Sequence, residues 1–253
     1  MDAANELTCA NCGTSSRADT YCPHCGQKHP QAGDLSLKHA WRHVVDEVFN
    51  LDGRIFDTLK LLFTKPGLLT LDFLEGRRAR HVHPIRLFLT FSAIYFLAAG
   101  ETMSSRIRTL TRLDTDAMPE LQRALIEDFA HTTFKIAFIS TVLLNGLLLW
   151  LFLHRRRPLL AENMVTALHL SCITMTLTVV VETIVSLLQM PNLAGGLLGA
   201  LFANFGWQSI RRAYHEPSPW LAGLCLIVII AVDLAIVSGA TGAAVYYRNA
   251  AFN

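Results

Sequence analysis

Charge is scarce along most of this chain, and half of what there is sits at one end. Of 253 residues, 22 are Lys or Arg and 20 are Asp or Glu. Up to Arg86 there are 11 basic and 10 acidic residues, so the remaining two thirds of the chain shares the other half. That remainder contains apolar runs too long for an ordinary soluble domain, and 52% of the whole chain is hydrophobic. A net charge of +2 is too small to draw the chain to nucleic acid, and no nucleic-acid partner is expected. Met1-Asp2-Ala3-Ala4-Asn5-Glu6 offers no basic stretch leading into an apolar core. No cleavable signal peptide is therefore expected, and the first membrane span would direct insertion. The chain also lacks a nucleophile elbow, a phosphate-binding glycine loop, a His-Glu-x-x-His helix and a paired-carboxylate site, so no enzyme is expected. Cysteine is sparse at six, and Cys172 and Cys225 stand alone inside apolar runs, where a free thiol behaves as a small hydrophobe. That excludes a disulfide framework.

The other four cysteines form two knuckles, Cys9-Ala10-Asn11-Cys12-Gly13 and Cys22-Pro23-His24-Cys25-Gly26. Two Cys-x-x-Cys-Gly turns can converge four thiolates on a borderline-soft cation, and the glycines let backbone amides turn toward the sulfurs. Structural Zn2+ held by Cys9, Cys12, Cys22 and Cys25 is the expected cofactor. His24 and His29 are nearby substitutes, but four cysteines already close the site. So few residues cannot build a core, and such a unit is expected to be unfolded without its metal. A closed tetrahedral site leaves no open position for catalysis.

The organisation expected is an all-α multi-pass membrane protein of about five transmembrane helices. A small N-terminal zinc ribbon (residues 1–30) and cytoplasmic interfacial amphipathic helices with a basic collar (31–84) precede the membrane domain (85–253). Leu37, Trp41, Val44, Val45 and Val48 share one helical face. After Asn50-Leu51-Asp52-Gly53, Ile55, Phe56, Leu59, Leu62 and Phe63 carry a second amphipathic helix, with Asp52 or a neighbour as its cap. Lys65-Pro66-Gly67 stops it, and Leu68, Leu69, Leu71, Phe73 and Leu74 make a third apolar patch. Two placements are open for these helices: against the membrane, in the headgroup layer or on the inner ends of the spans, or in a small soluble domain with its own core. Arg77, Arg78, Arg80 and Arg86 form a collar expected to meet anionic lipid headgroups, each contributing about 1 kcal/mol near a charged surface.

Spans are expected near 85–100, 134–153, 164–188, 193–210 and 220–246, judged against the ~20 apolar residues a bilayer requires. Residues 101–133 read as a polar segment with weak helical periodicity. Eleven Lys/Arg before the first span, three at Arg155, Arg156 and Arg157 and two at Arg211 and Arg212 put 16 on the side of the N-terminus and 6 on the other. The positive-inside rule then makes the N-terminus cytoplasmic and, with five spans, the C-terminus periplasmic.

Ionisable groups within spans are costly and count as functional candidates; here they are His169, Glu182 and Asp233. No Lys or Arg lies at the depth of Asp233, which is therefore protonated or bonded to Asn145, Asn204 or a threonine. Thirteen residues separate His169 from Glu182, which places them on different helical faces. A haem site would need His154 and His169 facing each other at one depth, but His154 adjoins three arginines. Small residues at Gly195/Gly199, Gly196/Ala200 and Gly239/Ala243 permit close helix contact, within one chain or in a homo-oligomer.

Asp52-Gly53-Arg54, Lys65-Pro66-Gly67, Gly76-Arg77-Arg78 and Pro84-Ile85-Arg86-Leu87, with Ala167-Leu168-His169 and Arg211-Arg212-Ala213-Tyr214 further on, resemble a bacterial family known as domain of unknown function 3667. Its members often place a zinc ribbon before several membrane helices. They usually have an aromatic residue and a second proline where this chain has His81 and His83, so a His-x-His metal pair would be particular to this chain. The resemblance implies a bacterial inner-membrane location and supplies no activity. The function expected is a partner-docking or assembly adaptor, with membrane lipids and a cytoplasmic or membrane protein as partners. The alternative is a proton-coupled or ion-conducting transporter using Glu182 and Asp233, with His169 as relay.

Overall fold

A computed structural model describes residues 6–17, 20–27, 54–111, 120–189, 194–215 and 218–252. The amphipathic face running from Leu37 to Val48, the Asp52 cap and His29 lie outside the described residues.

The chain opens with a two-stranded antiparallel hairpin, β1 (Glu6–Thr8) and β2 (Ser15–Arg17), in register Glu6↔Arg17, Leu7↔Ser16 and Thr8↔Ser15. Among the described residues seven helices follow: α1 (Arg54–Thr64), α2 (Leu68–Leu74), α3 (Pro84–Thr111), α4 (Glu120–Leu153), α5 (Leu160–Leu187), α6 (Ala194–Ala213) and α7 (Pro219–Phe252). Their boundaries follow local chemistry. Pro66 and Gly67 end α1, while Pro84 and Pro219 occupy first-turn positions where no backbone N–H is missed. The Asn163 side chain donates to the carbonyls of Arg157 and Leu159, tying the α4–α5 turn to the start of α5.

Helices α4 and α5 form the middle of a bundle. α4 packs on α3, α5 and α7; α5 packs on α3, α4 and α6. One core joins the α4–α5 end of the bundle to α6 and α7 through Leu149, Leu153, Ala167, Ile210, Ala222 and Ile229. A second core joins Leu62 of α1, Leu69 of α2, Val82 and Leu87 to Cys172 and Ile173 of α5. The short helices therefore share their core with the bundle. On α1 the packed face is Ile55, Thr58, Leu59 and Leu62, while Phe56, 79% exposed, lies about 100° round from Ile55 and points away.

Among the described residues three helices are long and apolar enough to cross a membrane: Ala124–Leu153, Leu160–Leu187 and Pro219–Tyr247. Of the most apolar stretches in the first and third, 22% is buried within the chain. Leu143, Leu147, Ile227 and Leu234 are left facing outward, as in a bundle solvated by lipid. The first and fourth expected spans fall on α3 and α6. The apolar part of α3 covers only Pro84–Ala98, and α6 is interrupted by Asn204, Gln208, Arg211 and Arg212. Between the first two spans, much of the segment expected to be polar is helical: α3 continues to Thr111 and α4 begins at Glu120.

Candidate metal centre and the junction beneath it

The two knuckles repeat one backbone pattern. In the first, Cys9 N donates to Thr14 O (3.0 Å) and Gly13 N to Cys9 O (2.8 Å). In the second, Cys22 N donates to Gln27 O (2.8 Å) and Gly26 N to Cys22 O (2.9 Å). Gly13 and Gly26 close these turns in the left-handed region, with φ of 72° and 70°. The four sulfurs meet: Cys9 Sγ lies 3.6 Å from Cys25 Sγ, and Cys12 Sγ lies 3.7 Å from Cys22 Sγ. All four are free thiols, and their Sγ atoms fall within 4.8 Å of one another. Among the described residues this is the one set of three or more Cys, His, Asp or Glu so gathered. The hydroxyl and then the backbone of Thr14 hold the Cys12 thiol down to about 5, whereas Cys9, buried beside the other sulfurs, is pushed up to about 11. Four soft donors at such separations fit a metal ion.

The ribbon rests on the linker between α2 and α3. Gln27 Nε2 donates to Gly76 O (2.6 Å), and Gln27 Oε1 accepts from Arg78 N (3.0 Å) and Ala79 N (3.3 Å). Gly76 has φ 86°, and a Cβ there would come within 3.3 Å of Ala10 Cβ in the first knuckle. Both knuckles therefore touch the same turn. Nothing in the composition around Gln27 announced this role; the signal available was its place one residue after the second knuckle's glycine.

The collar arginines divide. Arg77 pairs with Asp72 (2.5 Å) and Glu75 (2.6 Å), and Asp72 above all raises its pKa. Arg78 sits 4.7 Å over the Phe73 ring and donates through Nε to Phe73 O. Arg80 is exposed, whereas Arg86 is 5% exposed. The first turn of α3 thus turns Arg86 toward the protein, away from the outward-facing collar expected of it.

Below the linker, family-like motifs meet one another. Gly67, at φ 84°, brings α2 onto α6 so closely that a Cβ would stand 2.6 Å from Ser209 O. Arg212 donates to Pro66 O (2.9 Å). Thr70 Oγ1 lies 2.8 Å from His169 Nδ1, both groups buried, and His169 Nε2 is sealed from solvent with no hydrogen-bond partner among the described residues. His81 Nε2 is 3.2 Å from Asp72 Oδ2, and His83 stands edge-on to Phe73. Among the described residues His81, His83 and His169 do not gather as a metal-ligand set. His154 remains exposed at the end of α4.

Within the bundle, Asn145 Nδ2 of α4 donates to both carboxylate oxygens of Asp233 on α7, at 3.1 and 3.3 Å. Glu182 is half-buried on α5, about 20 Å along the helix from His169 at 1.5 Å per residue. His169 and Glu182 therefore lie far apart on α5, while Asp233 is held from α4. An almost wholly apolar groove lined by Trp207, Pro219, Trp220, Gly223, Leu224 and Ile227 contains no titratable group.

The model of a family described as "Protein of unknown function (DUF3667)" matches residues 52–96. The matched segment is similar to that family over α1, α2, the linker and the first part of α3, under a fifth of the chain. No curated protein and no solved structure matches the chain.

Proposed function

We propose that this protein is a bacterial inner-membrane adaptor or assembly factor, whose zinc ribbon docks a partner or braces the membrane domain. The observation that carries the reading is the ribbon's seat. Gln27, one residue past the second knuckle, is bonded to Gly76, Arg78 and Ala79, in the linker that leads straight into α3. Cys9, Cys12, Cys22 and Cys25 would hold Zn2+, which fills their tetrahedral set and supplies a structural crosslink without an open position for substrate. A closed metal centre with no acid–base or nucleophile constellation beside it suits binding better than turnover. In the positive-inside orientation the ribbon and the collar are cytoplasmic, where thiols stay reduced. α3 and α6 would complete a five-span bundle, shielded by their packing on α5. Arg80 and the outward-facing Phe56 are suited to an anionic lipid surface.

The test is capture of partners by full-length protein and by Cys22→Ser in matched membranes. Loss of specific partners or of accumulation from the variant supports docking; an unchanged partner set overturns it.

A second reading draws on the Asn145–Asp233 pair. A carboxylate facing an amide between two membrane-spanning helices is chemistry that proton- or cation-coupled transporters use, and equally that helices use as polar glue. Flux through reconstituted vesicles separates the two.

A further inference from the structure

We propose that Gln27 is a metal-dependent clasp: it holds the α2–α3 linker only while the second knuckle is closed around an ion, so that metal occupancy is transmitted to the mouth of the bundle. The inference rests on the reading of the four cysteines as a metal site.

The argument begins with the symmetry of the knuckles. Thr14 and Gln27 occupy equivalent positions, five residues after the first cysteine of each turn, and each gives its carbonyl to that cysteine's amide. The side chains then diverge. Thr14 turns inward, its Oγ1 3.4 Å from Cys12 Sγ. Gln27 turns outward and spends both ends of its amide on the linker, through Gly76 O, Arg78 N and Ala79 N. It is 7% exposed, so these bonds are shielded from competing water.

The position of residue 27 is set by the bond from Cys22 N, which belongs to the knuckle. Among the residues of the knuckle unit whose burial is described, only Cys9, Cys22 and Gln27 are buried, too few for an apolar core to keep it folded. Removing the ion therefore removes what fixes Gln27. The linker, residues 75–83, is neither helix nor strand; three of its peptide groups bond that one side chain, alongside the bond within the turn from Arg78 N to Gly76 O (3.1 Å). It also carries Arg77 and His81, whose common partner is Asp72, and delivers Val82 N to Thr58 Oγ1 at the entry to α3. Release at Gln27 would loosen that entry.

The experiment uses the full chain in nanodiscs, with metal content measured beside hydrogen exchange of peptides covering residues 76–80. Three samples are compared: metal-loaded protein, the same protein after chelation, and metal-loaded Gln27→Ala. Chelation and Gln27→Ala should each speed linker exchange by roughly tenfold, the effect of losing buried hydrogen bonds. Gln27→Ala should do so while keeping one ion per chain and slow exchange in residues 6–17. Trypsin should then cut sooner after Arg77 and Arg78. Unchanged linker exchange in Gln27→Ala overturns the clasp, as does a linker that stays protected when chelation has melted the ribbon. If the purified chain carries no metal, and Gln27→Ala alone releases the linker, the metal reading fails and the contact is a fixed brace, which overturns the proposed dependence on the ion.

Discussion

Among the described residues between Cys9 and Gln27 the buried groups are two thiols and one amide, whereas the junction beneath them buries Leu62, Leu69, Val82, Leu87, Cys172 and Ile173. The two regions adjoin and share the linker, but they are held by different forces. The ribbon converts ligand geometry into a fold, and its stability is the affinity of an ion. The junction is held by apolar burial and by backbone approach: α2 reaches α6 because Gly67 has no Cβ to strike Ser209. The difference teaches how a module with almost no core can be attached to one that has plenty. The contact falls on peptide groups of a turn, which neither a change of ion nor a change of lipid would repack.

The comparison breaks most completely at the metal. Chelation, or Cys22→Ser, should unfold residues 6–27, because apparent zinc affinities of small ribbons run to about 10–16 kcal/mol, far more than a three-residue hairpin and the Gln27 bonds supply. Helices α4, α5 and α7 should keep their protection. Hydrogen exchange resolved by region checks this, and a bundle that melts along with the ribbon would show that the two regions are not separable.

The second break is at Gly67. Alanine there must adopt φ near 84° and place its Cβ 2.6 Å from a backbone oxygen, so α2 has to move off α6. A loss of roughly 2–4 kcal/mol is expected from strain and repacking together. Unfolding in detergent should register that loss, while the metal content stays at the wild-type level. The ribbon would thus survive a change that damages the junction, the converse of the first prediction.

These two sites also show what a linear sequence discloses. The cysteines were legible because Cys-x-x-Cys-Gly is a local geometry, complete within five residues. Lys65-Pro66-Gly67 was legible as a helix stop, since proline and glycine act on their own backbone. Its other purpose, receiving Arg212 and Ser209 from more than 140 residues away, has no local trace. Arg86 reads as a headgroup arginine because its neighbours Arg77, Arg78 and Arg80 are basic, but they lie in the linker whereas it lies on the first turn of α3, which points it inward. Phe56 read as part of an apolar face for the opposite reason: its neighbours are apolar, and rotation carries it out. Gln27 was invisible, since a glutamine beside a knuckle looks like any polar loop residue until its partners are placed. Asn145 was among the groups proposed for Asp233, because a buried carboxylate has few partners available in an apolar bundle.

A finer probe of the junction is Thr70→Val, which keeps the shape and removes the hydroxyl facing His169 Nδ1. Both ring nitrogens of a buried histidine would then lack partners, at a cost of about 1–3 kcal/mol. Thr70→Ser should recover most of that. The pair of variants separates the hydrogen bond from the packing, and thermal unfolding in detergent reads both. If valine is tolerated as well as serine, the bond contributes nothing to holding α2 on α5.

The smallest effect on the fold, and the one that bears most on function, is expected at Asp233. Asparagine there still presents an oxygen to Asn145 Nδ2, so the α4–α7 contact should lose under about 1 kcal/mol, in the range measured for interhelical hydrogen bonds in membranes. Under the adaptor reading, vesicles containing wild type and Asp233→Asn should both show flux at background, because the amide replaces a polar contact and nothing more. Under the transport reading the wild type would move protons or cations, and the variant, which cannot lose a proton or hold a positive ion in that place, would not. Since fold and ribbon are both spared by this substitution, a difference in flux has no structural explanation to hide behind. It would relocate the function from the thiolate-held module to the lipid-embedded pair.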